Sequence, residues 1–116
     1  MLGLPSTARI VVFSEPADMR KGFDGLTALV MGAGEAPYSG DLYVFLSRRR
    51  DRAKILTHQR GGMVLWCKRL ERGTFKFQVP AGVDRLQLDS TALTMLLDGI
   101  DVARVRRPEH WKPRED

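Results

Sequence analysis

The strongest constraint on the fold is a run of five apolar residues, Leu42-Tyr-Val-Phe-Leu46, lying between two polar turns. Successive side chains of a strand point to opposite faces, so this run is apolar on both faces. A strand of this kind must be covered on both sides, which predicts a central position in a sheet. The turn cluster Pro37-Tyr-Ser-Gly40 precedes it, and the polar connection from Ser47 to Arg52 follows it.

Other segments have the β-branched composition or the alternation of strands, with turn residues between them. Gly61-Gly62 separates one pair of these segments, and Glu71-Arg-Gly73 has the form of a hairpin turn in which glycine supplies a positive φ. We therefore expect an antiparallel β meander of about four to five strands. The predicted strands are 9–13, 42–46, 53–57, 63–70 and 75–79, the last carrying alternating Phe75, Phe77 and Val79.

Two helices complete the predicted fold. Apolar residues recur every three or four positions over 19–30, which is the spacing of one helical face, and Asp18 is placed to be the N-cap or a first-turn acid of that helix. A second, shorter helix follows Asp89 or Ser90 as its N-cap and ends at Gly99. The fold class is α+β, with the N-terminal helix packed on one face of the antiparallel sheet and a short C-terminal helix.

The length of 116 residues allows one hydrophobic core. We expect a single α+β domain over residues 1–103, followed by a flexible, basic, proline-containing tail over 104–116. No apolar run approaches the roughly 20 residues that span a bilayer, and the N-terminus does not resemble a signal peptide. The single cysteine, Cys67, is expected to be a core thiol and is typical of a reducing compartment. These features predict a cytoplasmic protein with no membrane partner.

No motif predicts catalysis. The two histidines and Cys67 lack the spacing of a zinc site, and the glycines match neither phosphate-binding nor dinucleotide-binding loops. A nuclease needs several carboxylates that converge on metal ions, whereas the acids here are scattered over turns and helix starts. We therefore expect no catalytic residue, no metal, no cofactor and no small-molecule substrate.

Positive charge is concentrated in the middle of the chain. Residues 48–76 hold ten basic side chains against only Asp51 and Glu71, whereas the remainder of the chain is slightly acidic. Such a local field attracts polyanions and releases the counterions condensed on them. The alternative is a solvated surface that serves solubility alone.

The cluster Arg48-Arg-Arg-Asp-Arg52 falls at the predicted tip of a hairpin, where side chains spread into solvent. A tip of this kind enters a major groove or straddles phosphates, and the planar guanidinium grips phosphate oxygens in pairs. Trp66 and Tyr43 are candidates for stacking on unpaired bases, but the alternative, that they are core aromatics, is favoured.

Four blocks of sequence, in order and at compatible spacing over roughly residues 9–101, form a recognisable series. They resemble the second-reading-frame proteins of the insertion sequence 66 (IS 66) family, the TnpB-like transposase accessory proteins. The blocks are Asp18-Met-Arg-Lys-Gly-Phe-Asp-Gly-Leu26; Ser39-Gly40 with Tyr43-Val-Phe45, Arg48-Arg49, Asp51 and Lys54-Ile-Leu56; Lys68-Arg-Leu-Glu-Arg-Gly73 with Phe75; and Leu96-Leu-Asp-Gly-Ile-Asp101.

The resemblance implies a non-catalytic accessory factor of bacterial transposition, with strand cleavage and joining left to a separate, larger transposase. We expect it to bind DNA, at the transposon ends, and to support the transposase–DNA complex. The alternative is a protein–protein adaptor that docks on the transposase without touching DNA. The predicted nucleic-acid-binding residues are Arg20, Lys21, Arg48, Arg49, Arg50, Arg52, Lys54, Lys68, Arg69 and Arg72.

Overall fold

The computed structural model describes residues 8–100. The tail predicted over 104–116 and the outer limits of the predicted domain lie outside this range. Among the described residues, no helix is long and apolar enough to cross a membrane. The elements in chain order are β1 (Ile10–Phe13), α1 (Phe23–Gly32), β2 (Leu42–Leu46), β3 (Arg52–Gln59), β4 (Gly62–Arg69), β5 (Arg85–Leu88) and α2 (Ser90–Leu97).

The strands form one five-stranded sheet in the order β4-β3-β2-β1-β5. β2, β3 and β4 follow each other as an antiparallel meander, and β5 pairs antiparallel with β1. β1 and β2 run parallel, because α1 crosses over between them and returns the chain to the end where it began. The predicted α+β class, with a mostly antiparallel sheet and two helices, is confirmed.

One predicted strand is wrong. Residues 75–79 do not join the sheet, although Phe75 and Phe77 are buried as their alternation indicated. The segment passes beneath the sheet, where the N–H of Phe75 donates to the carbonyl of Arg50 at 2.6 Å. The additional strand is instead β5, on the far side of β1.

Both faces of β2 are buried, as its apolar run predicts. Tyr43 and Phe45 face α1, and Leu42, Val44 and Leu46 face the opposite layer. The sheet therefore separates two cores. The α1-side core holds Val11, Leu26, Val30, Tyr43, Phe45 and Leu56. The α2-side core holds Ile10, Val12, Leu42, Val44, Leu46, Ala53, Ile55, Phe75, Phe77, Leu93, Leu96 and Leu97.

The two helices begin differently. Asp89 caps α2 as predicted, since its carboxylate accepts the N–H of Ala92 at 2.7 Å, and Gly99 follows the helix with φ of 77°. The prediction that Asp18 caps the first helix is wrong. α1 begins at Phe23 with no side-chain cap, and Asp18 belongs to the loop before it.

An ionic network joins β1, β2, β5 and the end of α1. Arg9 donates to Glu35 at 2.7 Å and contacts Asp41 at 2.9 Å, while Arg85 donates to the other oxygen of Glu35 at 2.8 Å. The side chain of Glu35 is 14% exposed. The hydrogen bond from Arg9, followed by that from Arg85, lowers the pKa of Glu35 below its ordinary value.

Replacing Glu35 with Gln should lower the free energy of unfolding at neutral pH by about 1 kcal/mol, since solvent screens the half-exposed Arg9. Because the folded-state pKa of Glu35 is depressed, this contribution is present above its unfolded pKa of about 4.5 and is lost as the pH falls through the folded value. Urea unfolding at about pH 7 and about pH 3 measures the difference. Glu71→Gln, in an exposed loop, should change neither value, and an equal loss for both variants would contradict the network.

Candidate nucleic-acid interface

The sheet topology brings three chain segments to one end of the molecule. β1 and β2 are parallel, so the loop leaving β1 and the turn leaving β2 emerge side by side. The N–H of Ala17 donates to the carbonyl of Leu46 at 2.9 Å and joins the two. β4 ends at the same place, because Arg69 pairs with Arg52 at the start of β3.

These segments surround an open cleft of about 650 Å³, which we call the arginine cleft. It is lined by residues 16–20 from the loop, by residues 47–49 and 51 from the turn, by Arg52 at the start of β3, and by Arg69 at the end of β4. Its charged side chains are five arginines and two aspartates. They are Arg20, Arg48, Arg49, Arg52 and Arg69, with Asp18 and Asp51.

Ser47 organises the β2–β3 turn. Its buried hydroxyl accepts the N–H groups of Asp51 at 3.2 Å and of Arg52 at 3.1 Å, and it donates to the Asp51 carboxylate at 3.1 Å. Arg48 and Arg49 are thereby held exposed at the tip. The prediction of a hairpin tip at this position is confirmed.

Asp18 holds Arg20 at the mouth of the cleft. The Arg20 guanidinium donates to both carboxylate oxygens, the shortest bond being 2.7 Å, and the backbone N–H of Arg20 donates to the same carboxylate. This pairing holds the pKa of Asp18 well below its usual range and raises that of Arg20. The charge of Arg20 is therefore largely balanced within its own loop, although its side chain is 91% exposed.

The other cleft arginines are not balanced in this way. Among residues 8–100, no carboxylate lies within ion-pair distance of Arg48, Arg49, Arg52 or Arg69. Asp51 lies close by, but its carboxylate accepts the hydroxyl of Ser47. Their field therefore extends into the cleft.

Two of the predicted binding lysines have structural partners. The ammonium group of Lys54 donates to the carbonyls of Met19 at 2.8 Å and Lys21 at 2.9 Å, which ties the loop before α1 to the sheet. Lys68 lies on the opposite face, where its ammonium donates to the carbonyl of Leu97 at 2.7 Å, at the C-terminal end of α2. A cation at that end also complements the helix dipole.

The remaining predicted residues lie beside the cleft. The guanidinium of Arg50 lies over the ring of Phe77, 6.0 Å from its centroid, and Arg50 itself has φ of 59°. Lys21 lines a neighbouring groove between α1 and β1, and Arg72 is exposed in the loop after β4. Five of the ten predicted residues thus line the cleft, and a nucleic-acid role for any of the ten stays a prediction.

Sequence reasoning missed the residues that shape the cleft. Ser47 and Asp51 form a side-chain turn, and Asp18 forms another with Arg20. The available signal was a serine at the end of an apolar strand with an aspartate four residues later, a pattern that favours local hydrogen bonding over burial.

The aromatic and thiol predictions have mixed outcomes. Tyr43 is fully buried and its hydroxyl donates to the carbonyl of Ala36, which confirms the core interpretation. Trp66 is half-buried against the α2-side core. The prediction that Cys67 is a core thiol is wrong, because β4 is an edge strand and Cys67 is exposed on it. Within residues 8–100, no three histidine, cysteine or acidic side chains are grouped to hold a metal ion.

The fold and the cleft define a class: a small α+β protein with one mixed sheet and an arginine-lined cleft at the end where three chain segments meet. The family model for the IS66 Orf2 like protein, TnpB_IS66, matches residues 8–107. The chain therefore belongs to the IS66 Orf2-like family and is an accessory protein of an insertion sequence. The resemblance proposed from the sequence is confirmed.

Two relatives from Sinorhizobium fredii (strain NBRC 101917 / NGR234) are similar over nearly their whole length. "Uncharacterized protein y4jC" is 38% identical over 114 residues, covering 97% of this chain and 97% of the relative. "Uncharacterized protein y4hO" is 32% identical over 115 residues, covering 97% and 96% respectively. No solved structure matches the chain.

Replacing Lys54 with Met should lower the free energy of unfolding by about 1–3 kcal/mol, because the carbonyls of Met19 and Lys21 lose their charged donor. Urea unfolding monitored by circular dichroism measures the change. Lys76→Met removes the same charge from an exposed side chain and should have little effect. Equal effects of the two substitutions would show that Lys54 does not anchor the loop.

Proposed function

We propose that this accessory protein binds the DNA of its own insertion sequence through the arginine cleft and thereby supports the transposase–DNA complex. The observation that carries the proposal is the convergence of arginines from the loop after β1, the β2–β3 turn and the end of β4 on one open cleft. Strand cleavage and joining are left to the transposase. Family membership supports this division, since the family is generally one of non-catalytic accessory proteins.

The charge balance of the cleft favours a polyanion. Asp18 is committed to Arg20 and Asp51 to Ser47, and within residues 8–100 no carboxylate pairs with Arg48, Arg49, Arg52 or Arg69. Each guanidinium presents a planar fork that binds two phosphate oxygens. Neutralising phosphates releases condensed counterions, so binding of this kind weakens steeply as salt is added.

The shape of the cleft favours contact with the sugar-phosphate backbone. The turn from Ser47 to Asp51 is short and closed by its own hydrogen bonds, so Arg48 and Arg49 project from a rigid support. The described lining contains no asparagine or glutamine to read adenine edges, and we assign its arginines to phosphate oxygens and not to guanine edges. Phosphate contacts fix position and register without reading sequence. We therefore expect weak sequence preference from this surface alone.

Replacing Arg49 with Ala should weaken duplex binding and reduce the slope of log affinity against log salt by about 0.9, the value for one phosphate contact. Fluorescence anisotropy with a labelled terminal inverted-repeat duplex, titrated at several salt concentrations, measures both quantities. A duplex of random sequence should show the same change in slope.

Arg60 supplies the matched control. It lies in the β3–β4 turn at the opposite end of the sheet, with φ of 50°, and Arg60→Asn removes one charge while suiting that backbone conformation. The slope of log affinity against log salt for Arg60→Asn should match that of the unaltered protein. Equal losses for both variants would show that net charge, and not the cleft, determines binding.

A second candidate is an adaptor that docks on the transposase. It is favoured by large apolar side chains that are exposed on and after α1: Phe23 at 47%, Met31 at 61% and Tyr38 at 63%. Recovery of the transposase with this protein after nuclease treatment, and loss of that recovery in Phe23→Ser with Met31→Ser, would support the adaptor. The Arg49→Ala protein should behave like the unaltered one in that assay.

A further inference from the structure

The outer edge of β4 is unpaired among residues 8–100, and the charged residues of the strand, Lys68 and Arg69, lie at one end. β4 is eight residues long, contains no proline, and pairs with β3 in unbroken register from Gly62 to Arg69. Among residues 8–100, no strand pairs with its other side. Sheet edges of monomeric proteins are usually blunted by short length, proline, bulges or charged side chains, especially lysine. The stretch Met63-Val-Leu-Trp66 has none of these features and is half-exposed.

The β3–β4 hairpin determines which backbone groups face outward. Arg60 and Gly61 both have positive φ, as in a type I′ turn, so Gln59 and Gly62 form the closing hydrogen-bonded pair. Hydrogen-bonded and non-hydrogen-bonded pairs alternate from there. The even-numbered residues of β4 therefore bond to β3, which agrees with the N–H of Leu70 donating to Asp51 at 2.8 Å. The outward N–H and C=O groups belong to Met63, Leu65, Cys67 and Arg69.

We propose that a second copy of this chain pairs with this edge, antiparallel, around a two-fold axis at Trp66. Residues that lie opposite each other in an antiparallel pair point to the same face of the sheet. One face of β4 carries only even-numbered or only odd-numbered residues, so opposed residues must be separated by an even number of positions. The two-fold axis must therefore pass through a residue and not between two neighbours. An axis at Trp66 places Met63 opposite Arg69 and Leu65 opposite Cys67. All the outward backbone groups of both copies are then bonded. An axis at Leu65 would leave Arg69 opposite the turn residue Gly61.

Charge also favours this arrangement. The only charged residues of β4 are Lys68 and Arg69, at one end. Parallel pairing in register would set these cations against their own copies, which is unfavourable. The antiparallel pair sets Lys68 opposite Val64 and Arg69 opposite Met63. The two Trp66 side chains meet at the axis in a non-hydrogen-bonded pair, where side chains approach most closely.

In the dimer, each chain would contribute its own arginine cleft, and both clefts would open on the same face of one continuous sheet. A two-fold axis perpendicular to the sheet keeps the α1 faces together, and Arg52 and Arg69 lie on that face with Lys54. The clefts then lie at opposite ends of the paired strands. This use of the dimer rests on the proposed DNA binding, whereas the strand pairing does not.

Val64 provides the charge test. In the proposed register it lies opposite Lys68 of the second copy, and it is half-exposed outside both core clusters. Val64→Lys sets two like charges against each other, whereas Val64→Glu sets an acid against Lys68, and the two-fold axis makes each contact occur twice. The Val64→Lys dimer should therefore be about tenfold weaker than the Val64→Glu dimer. Sedimentation equilibrium at low salt measures the two dissociation constants, and the unaltered protein should be dimeric. Equal constants, or a monomeric unaltered protein, would overturn the proposal.

Disulfide trapping tests the register independently. Leu65→Cys places a thiol directly opposite the native Cys67 of the second copy, at a Cα separation of about 5.5 Å that a disulfide accepts. Mild oxidation should give a covalent dimer whose peptide map shows a 65-to-67 link. Val64→Cys, on the other face, should give no link to Cys67. A 65-to-65 link, or equal trapping by both variants, would refute the register. The unaltered protein could prove monomeric while Arg49→Ala still reduces the slope of log DNA affinity against log salt. That result would rule out the dimer and leave the proposed DNA binding intact.

Discussion

Burial of β2 on both faces is the constraint from which the arrangement of this protein follows. A strand with Tyr43 and Phe45 on one side and Leu42 and Val44 on the other must have a layer on each face. α1 supplies one layer, while α2 and the segment carrying Phe75 supply the other. Because α1 is the crossover between β1 and β2, those neighbouring strands can run parallel, as they do. Their loops then leave from one end of the sheet, where the arginine cleft forms.

The cleft also depends on the use of polar side chains as supports. Ser47 occupies the backbone donors of its turn, and Asp18 fixes Arg20. Lys54 reaches from β3 to two carbonyls of the loop before α1. These contacts leave Arg48 and Arg49 exposed without carboxylate partners among the described residues. Positive charge in this protein is therefore divided between support of the fold and a surface open to solvent.

Local patterns were sufficient for much of the fold. The central strand, both helices, the Asp89 cap and the exposed hairpin tip each follow from neighbouring residues in the chain. The segment 75–79 shows what local patterns leave open. The alternation of Phe75 and Phe77 indicates that one face is buried, but it does not determine whether the backbone of the segment pairs with a strand. The same limit applies to the basic residues. A count of charges cannot show that the ammonium of Lys68 reaches a carbonyl of α2 on the opposite face.

We propose that DNA contacts the end of the sheet where the loop after β1, the β2–β3 turn and the end of β4 meet. Backbone amide chemical shifts, followed by NMR as a short duplex is added at low salt, test it most directly. The largest changes are expected at residues 17–20, at 47–52 and at Arg69, with little change along α2. Changes centred on Lys68 and α2, or spread evenly over the basic residues, would contradict it.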